Sequence, residues 1–188
     1  MTREKGQFWR GLWQEIRSRY LERTDIKPGT NPGARRHTHA HCGGDKQPAF
    51  AMVLWNEQFA TGSETIDQQH RTLINNINHL ESLLTDANLT PVQCEFLIGM
   101  VEFLELYART HFNFEERCMR QHRCPVQERN KQAHEQFLKF FAEFKQRYEN
   151  EGLTPGVLRT LHQLLSSWIQ EHILQVDTQL RPCIKQPE

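Results

Sequence analysis

The sequence predicts an all-α protein: an antiparallel up-down-up-down four-helix bundle preceded by an amphipathic helix and a linker. Three observations predict it. Four long segments repeat their apolar residues with a helical period. Prolines mark the openings of the last three, at Thr90-Pro91, Cys124-Pro125 and Thr154-Pro155. Proline is best tolerated in a helix's first turn, and threonine caps it. The joining loops are only about four or five residues long, which forces neighbouring helices to run antiparallel.

Taken in order, residues 7–23 set Trp9, Leu12, Trp13, Ile16 and Tyr20 at helical spacing among Arg10, Arg17, Arg19 and Arg23. From Asp25 to about Pro48 the chain turns polar, and Pro-Gly, Asn-Pro-Gly and Gly-Gly breakers mark a linker. The first bundle helix is expected from about Ile66 to Asp86, with Leu73, Ile77, Leu80 and Leu84 on one stripe. The second is expected from Thr90-Pro91 to about Arg120, with Phe96, Met100, Phe103, Leu104 and Tyr107. The third opens at Cys124-Pro125, carries Phe137, Phe140, Phe141 and Phe144, and ends near Glu151-Gly152. The fourth opens at Thr154-Pro155 and reaches roughly Leu180, before Pro182. The expected organisation is therefore 1–50 as arm and linker, 51–181 as bundle and 182–188 as tail.

With 188 residues, 37% of them hydrophobic, the chain can bury a real core. It has no run of 18 apolar residues to span a membrane, and no apolar stretch with a cleavage site to suggest secretion. Its five cysteines form no CxxC pair and are odd in number, which suits a reducing cytoplasm better than a disulfide framework. The formal net charge of zero conceals a basic arm and an acidic body. Residues 1–50 carry ten Lys/Arg against five Asp/Glu, and the remainder thirteen against eighteen. That excess is too weak to indicate nucleic acid. Packing or docking on a protein partner is the favoured use of the N-terminal helix, with a membrane surface as the lesser reading.

The chemistry lies in His111 with Glu115 and in Asn130 with His134, two pairs spaced four apart so that each shares a helix face. His70 stands near the start of the first helix. His172 and Asp177 stand near the end of the fourth, five apart, and need a local distortion or a reaching aspartate to share a centre. Counting places them at one level. His70 is about 16 residues from its helix end and His111 about 20 from its helix start, roughly 24 and 30 Å at 1.5 Å per residue. His134 and His172 are each about 17 residues from the loop joining the third and fourth helices, so those levels also match. A single buried histidine is more often structural than ligating. Four histidines and two carboxylates in one layer exceed an ordinary zinc site and suit a pair of first-row metals.

The motifs Ile66-Asp67-Gln68-Gln69-His70, His111-Phe112-Asn113-Phe114-Glu115-Glu116, His134-Glu135-Gln136-Phe137 and His172-Ile173-Leu174-Gln175-Val176-Asp177, with Trp55 and Gly62 ahead of them, resemble the hemerythrin family over about residues 52–180. The resemblance implies a bundle holding two iron ions, joined by an oxo or hydroxo group, that bind O2 reversibly. By position, His70 and His111 would hold one iron, His134 and His172 the other, and Glu115 and Asp177 would bridge them. One position departs from the pattern. Where the family has His-x-x-x-His, this chain has Asn130 ahead of His134. An amide oxygen is a weaker donor than imidazole, so that iron is expected to gain an exchangeable position. His122, about three turns above His111, and His79, on the face opposite His70, are poor replacements. The same mapping puts Leu73, Trp168 and Ile169 where the family keeps an apolar wall over bound O2, although ordinary core packing would explain them equally well.

The expected function is a cytoplasmic O2-binding protein, a sensor, carrier or store with an altered and more open iron site, and not an enzyme. Its partners would be O2 or another small diatomic or anionic ligand. The alternative is a di-iron oxidase, peroxidase or nitric-oxide-handling enzyme. Against ferritin-like oxidases stands the motif order, since those pair Glu-x-x-His. The His37, His39, His41 and Cys42 tract reads first as a surface segment and second as an adventitious chelator. Cys118 and Cys124 flank a loop near the site, in a position to sense oxidation, though nothing in the sequence lowers their pKa.

Overall fold

The structure is a computed structural model that describes residues 52–83, 90–152 and 154–184. The expected N-terminal helix and linker, the His37–Cys42 tract, Leu84 and residues 185–188 lie outside the described residues. Four long helices run up, down, up and down: α1 (Glu64–Ser82), α2 (Pro91–Gln121), α3 (Gln127–Glu151) and α4 (Pro155–Gln175). A 3-10 turn at Glu57–Phe59 leads in, and a second at Asp177–Leu180 followed by a four-residue helix, α5 (Arg181–Ile184), leads out. No strand occurs among the described residues, and none of their helices is long and apolar enough to cross a membrane.

Local chemistry fixes where each helix starts. Gly62 takes φ 90°, a left-handed turn that favours glycine. The Ser63 hydroxyl then caps α1 at Ile66 N. Asp67, in the first turn where negative charge suits the helix dipole, accepts from Thr61 N at 2.7 Å and Thr61 Oγ1 at 2.8 Å. The lead-in strap is also held along α1 by Asn78, which exchanges hydrogen bonds of 3.0 and 2.8 Å with the Val53 main chain. Thr90 and Gln93 form a reciprocal cap at the start of α2, and Thr154 caps α4 at Val157 N.

The helices depart from expectation in three places. On α2 the buried stripe is Leu97, Val101, Leu104 and Ala108, whereas Phe96 and Phe103 are 54% and 47% exposed. Stepping back from His111 by helical intervals gives Ala108, Leu104, Val101 and Leu97, so the inward layer fixes the register and ring size does not. Helix α3 begins at Gln127, not at Cys124-Pro125. Arg123 reverses the chain at φ 49°, and Cys124 N donates to Met119 O at 2.8 Å, which leaves Cys124 and Pro125 inside the turn. Helix α4 does not run on to Leu180. The chain leaves helical geometry at Val176 (φ −123°, ψ −62°) and resumes as a 3-10 turn at Asp177. An unbroken helix would turn Asp177 about 140° away from His172, so this break re-aims the aspartate.

Helix α1 packs against α2 and α4, and α2 packs against α3. Phe137, Phe140, Phe141 and Phe144 are all buried, as their spacing predicts, with Leu158, Leu161 and Leu165 of α4 and Leu73, Ile77 and Leu80 of α1. Each such side chain contributes about 1.5–3 kcal/mol by leaving water. At the opposite end Ile66, Met119 and Leu180 pack around Cys124 and Cys183. Those two cysteines are joined as a disulfide, with Cα atoms 5.5 Å apart. The expectation of unpaired cysteines is thereby corrected: the fold brings together two thiols 59 residues apart that no local motif links.

Candidate metal centre

His70 comes from the second turn of α1, His111 and Glu115 from α2, Asn130 and His134 from α3, His172 from the last turn of α4, and Asp177 from the 3-10 turn beyond it. All seven side chains are at most 1% exposed. Ligating atoms of His70, His111 and Glu115 lie within 4.8 Å of one another, as do those of Glu115, His134, His172 and Asp177. Glu115 belongs to both groups. Asp177 also reaches across, with Oδ2 3.3 Å from His70 Nε2 and Oδ1 3.1 Å from His172 Nε2. Each carboxylate therefore faces both histidine pairs. His79 and His122 are exposed and away from this layer.

The donor set fits cations. Both Asp177 oxygens, Glu115 Oε1 and His70 Nε2 are buried without a well-formed hydrogen bond. Buried polar atoms left so are costly. His134 Nε2 and His172 Nε2 face each other at 3.0 Å, which is repulsive unless a proton or a cation lies between their lone pairs. Outer partners turn the rings inward. His111 Nδ1 is 2.9 Å from Gln69 Oε1, and His134 Nδ1 is 2.9 Å from Glu116 Oε1, so each presents Nε2 to the centre. Phe112 stacks on His134 with centroids 3.8 Å apart, and Trp168 stacks on His172 at 4.3 Å.

Without a cation, protons carry the compensating charge. Burial pushes the His134 imidazolium down, but Glu115 and Glu116 more than reverse this and hold its pKa up at about 9. Burial likewise opposes His70, and Asp177 outweighs it, raising the pKa. His111 is driven well below the ordinary histidine range by burial and by His70 beside it. Burial alone would raise Asp177, yet His172 and His70 hold it well below the usual carboxylate range. A bound metal would have to displace the protons on the raised histidines.

Asn130 lies at this layer with its Nδ2 donating to Glu115 Oε2 at 3.0 Å and to Met119 Sδ at 3.3 Å. Its buried Oδ1 has no hydrogen-bond partner. Leu73, Trp168 and Ile169 line one apolar cavity of about 20 Å³, together with Phe112, Phe137 and Ala108. Because Phe112 and Trp168 also stack on candidate ligands, the cavity abuts the histidine layer. Gln69, Glu116 and Met119 had no role in the sequence reading. The signal for the first two was their place beside His70 and Glu115 in the motifs, whereas Met119 carried none. Cys118 is a free thiol whose pKa burial pushes up, with Glu115 adding to the shift. It is thus less ready to form a thiolate than an isolated cysteine.

A four-helix bundle that gathers four imidazoles and two shared carboxylates in a buried layer is a cation-binding bundle of the His-rich, non-haem kind. The chain belongs to the hemerythrin family. Residues 61–184 match the model of the hemerythrin HHE cation-binding domain. It is 33% identical over 124 residues to a bacteriohemerythrin of Stenotrophomonas maltophilia, covering 66% of this chain and 76% of that protein. A bacteriohemerythrin of Pseudomonas aeruginosa is 29% identical over 128 residues, 68% of this chain and 78% of that one. One of Clostridium acetobutylicum is 27% identical over 126 residues, 67% and 96% respectively.

Proposed function

We propose that the chain is a non-haem di-iron protein that binds O2. His70 and His111 would hold one iron and His134 and His172 the other, with the Glu115 and Asp177 carboxylates shared between the two. The observation that carries this reading is the pair of overlapping ligand groups that share Glu115 and are both approached by Asp177. When bound, the irons supply the electrons that make O2 binding reversible. The chain's own residues position and protect. Gln69 and Glu116 orient the imidazoles, and Leu73, Trp168 and Ile169 keep one side dry. A cavity of about 20 Å³ admits a diatomic molecule but little more.

Asn130 distinguishes this site. With Nδ2 engaged by Glu115, the amide offers at most its Oδ1, a weaker donor than imidazole. His134 and His172 would then leave an iron they hold with an exchangeable position open to small anions. An adduct of shortened life suits sensing better than carriage, and residues 7–23 would pass the signal to a protein partner. Comparing adduct lifetime and azide affinity in the native protein and in Asn130→His tests this. A longer lifetime and weaker azide binding in the variant are expected, and identical values would remove the argument for sensing. The same open position supports a second reading, an oxidase or peroxidase, in which steady peroxide consumption with an added reductant would replace a stable adduct.

A further inference from the structure

The segment carrying Asp177 has an unusual attachment. It leaves the α4 hydrogen-bond ladder after Val176, whose N still donates to His172 O, and continues through two short pieces, Asp177–Leu180 and Arg181–Ile184. Beyond the Thr178 hydroxyl's bond to Leu174 O of α4, three ties hold it to the rest of the bundle. Leu180 is buried beside Ile66 and Met119, the Arg181 guanidinium donates to Ala60 O, and Cys183 is bonded to Cys124 in the turn between α2 and α3. Both ends of the disulfide lead into the candidate centre. From Cys183 the chain runs back six residues to Asp177. From Cys124 a main-chain hydrogen bond reaches Met119 O, and Met119 Sδ accepts from Asn130 Nδ2 at 3.3 Å. Of the three ties, only the disulfide can be made and broken by chemistry.

We propose that Cys124–Cys183 is a reversible thiol/disulfide site that clamps the Asp177 segment, so that its redox state sets how readily metal leaves the bundle. The reducing partner is a dithiol. It gives two electrons and two protons, the S–S bond breaks to two thiols, and the dithiol closes to its own disulfide. The reverse step takes a disulfide oxidant by the same exchange. Cys124 and Cys183 are 4% and 8% exposed, so attack follows local opening. Helix α5 has only four residues, and so short a helix opens at little cost. Once reduced, the segment keeps Leu180 and Arg181 but loses its covalent anchor, and Asp177 is free to swing from His70 and His172.

The inference about metal rests on the proposed ligand set, so the test separates the two. In metal-free protein, alkylation and mass spectrometry count the cysteines released by dithiothreitol, and hydrogen exchange is followed across residues 177–184. Two additional alkylated cysteines and faster exchange in that segment are expected. A pair already reduced in air-equilibrated protein, or unchanged exchange after reduction, overturns the clamp whatever the metal site does. In Fe(II)-loaded protein kept free of oxygen, transfer of iron to a chelator should speed up about tenfold or more on reduction, the lower end of what loss of a ligand's support costs. Cys183→Ser should match the reduced protein and no longer respond to dithiothreitol. Full iron loading with release independent of the disulfide overturns the proposal while leaving the ligand set standing. Failure to load iron condemns the ligand set, and the exchange result then decides the clamp alone.

Discussion

Replacing Glu116 tests how the outer partners support the centre, and two opposing effects make it informative. Glu116 Oε1 sits 2.9 Å from His134 Nδ1, and its side chain is 17% exposed. With metal bound, the carboxylate polarises the imidazole and fixes its orientation, and losing such a partner costs about 10–100-fold in affinity, roughly 1.4–2.7 kcal/mol. Without metal, the same carboxylate helps hold the His134 pKa at about 9. Displacing that proton at pH 7 costs about 2.7 kcal/mol, and removing Glu116 refunds part of this. The metal's double charge responds to the carboxylate more strongly than a proton does, so the net effect is a loss. Glu116→Gln keeps an acceptor for Nδ1 and removes only the charge. It should weaken Co(II) binding about tenfold at pH 7 and more severely at pH 9.5, where the proton no longer competes. Co(II) absorption titrated against a competing chelator measures both values. Equal affinities for native protein and variant at both pH values would refute the reasoning.

Other outcomes follow from the same geometry. Metal-free protein should lose stability as pH rises from about 6.5 to about 9. A histidine raised in the folded state stabilises fully below its unfolded pKa, and His134 gives up that contribution, on the order of 3 kcal/mol, through its folded pKa. Urea midpoints across that range test the sign, and a rise would contradict it. Trp168→Ala removes the ring stacked on His172 and opens the apolar cavity, so it should cost about 3–5 kcal/mol and shorten the life of any bound O2. Denaturation and adduct decay measure the two effects separately. Phe103→Glu should change stability by no more than about 0.5 kcal/mol. Phe141→Ala should cost about 3–5 kcal/mol. Comparable losses would restore the aromatic stripe first expected on α2.

The bundle and the gathering of the histidines and carboxylates in one buried layer were legible because both rest on short-range rules. Spacing of four fixes a shared face for His111 and Glu115, proline marks the helix openings, and short loops dictate direction. What escaped the sequence depends on long-range packing. Phe96 and Phe103 look like core by composition, but register is set by the inward-facing His111, fifteen and eight residues further on. The five-residue gap from His172 to Asp177 announced a distortion without saying which, and the 3-10 turn at Asp177 supplies it. Cys124 and Cys183 meet only because the last segment folds back over the α2–α3 turn, which no spacing rule encodes. For Asn130, the departure from the family pattern was visible, but its hydrogen bond to Glu115 was not.

The proposed function requires one chain to hold two irons that bind O2 reversibly. The decisive experiment loads the protein with Fe(II) in the absence of oxygen, counts iron per chain, and then admits air while visible absorption is recorded. Two irons per chain, with a charge-transfer band that grows with O2 and fades when O2 is removed, is the predicted result. Iron well below two per chain, or two irons that give no O2-dependent band, would contradict it.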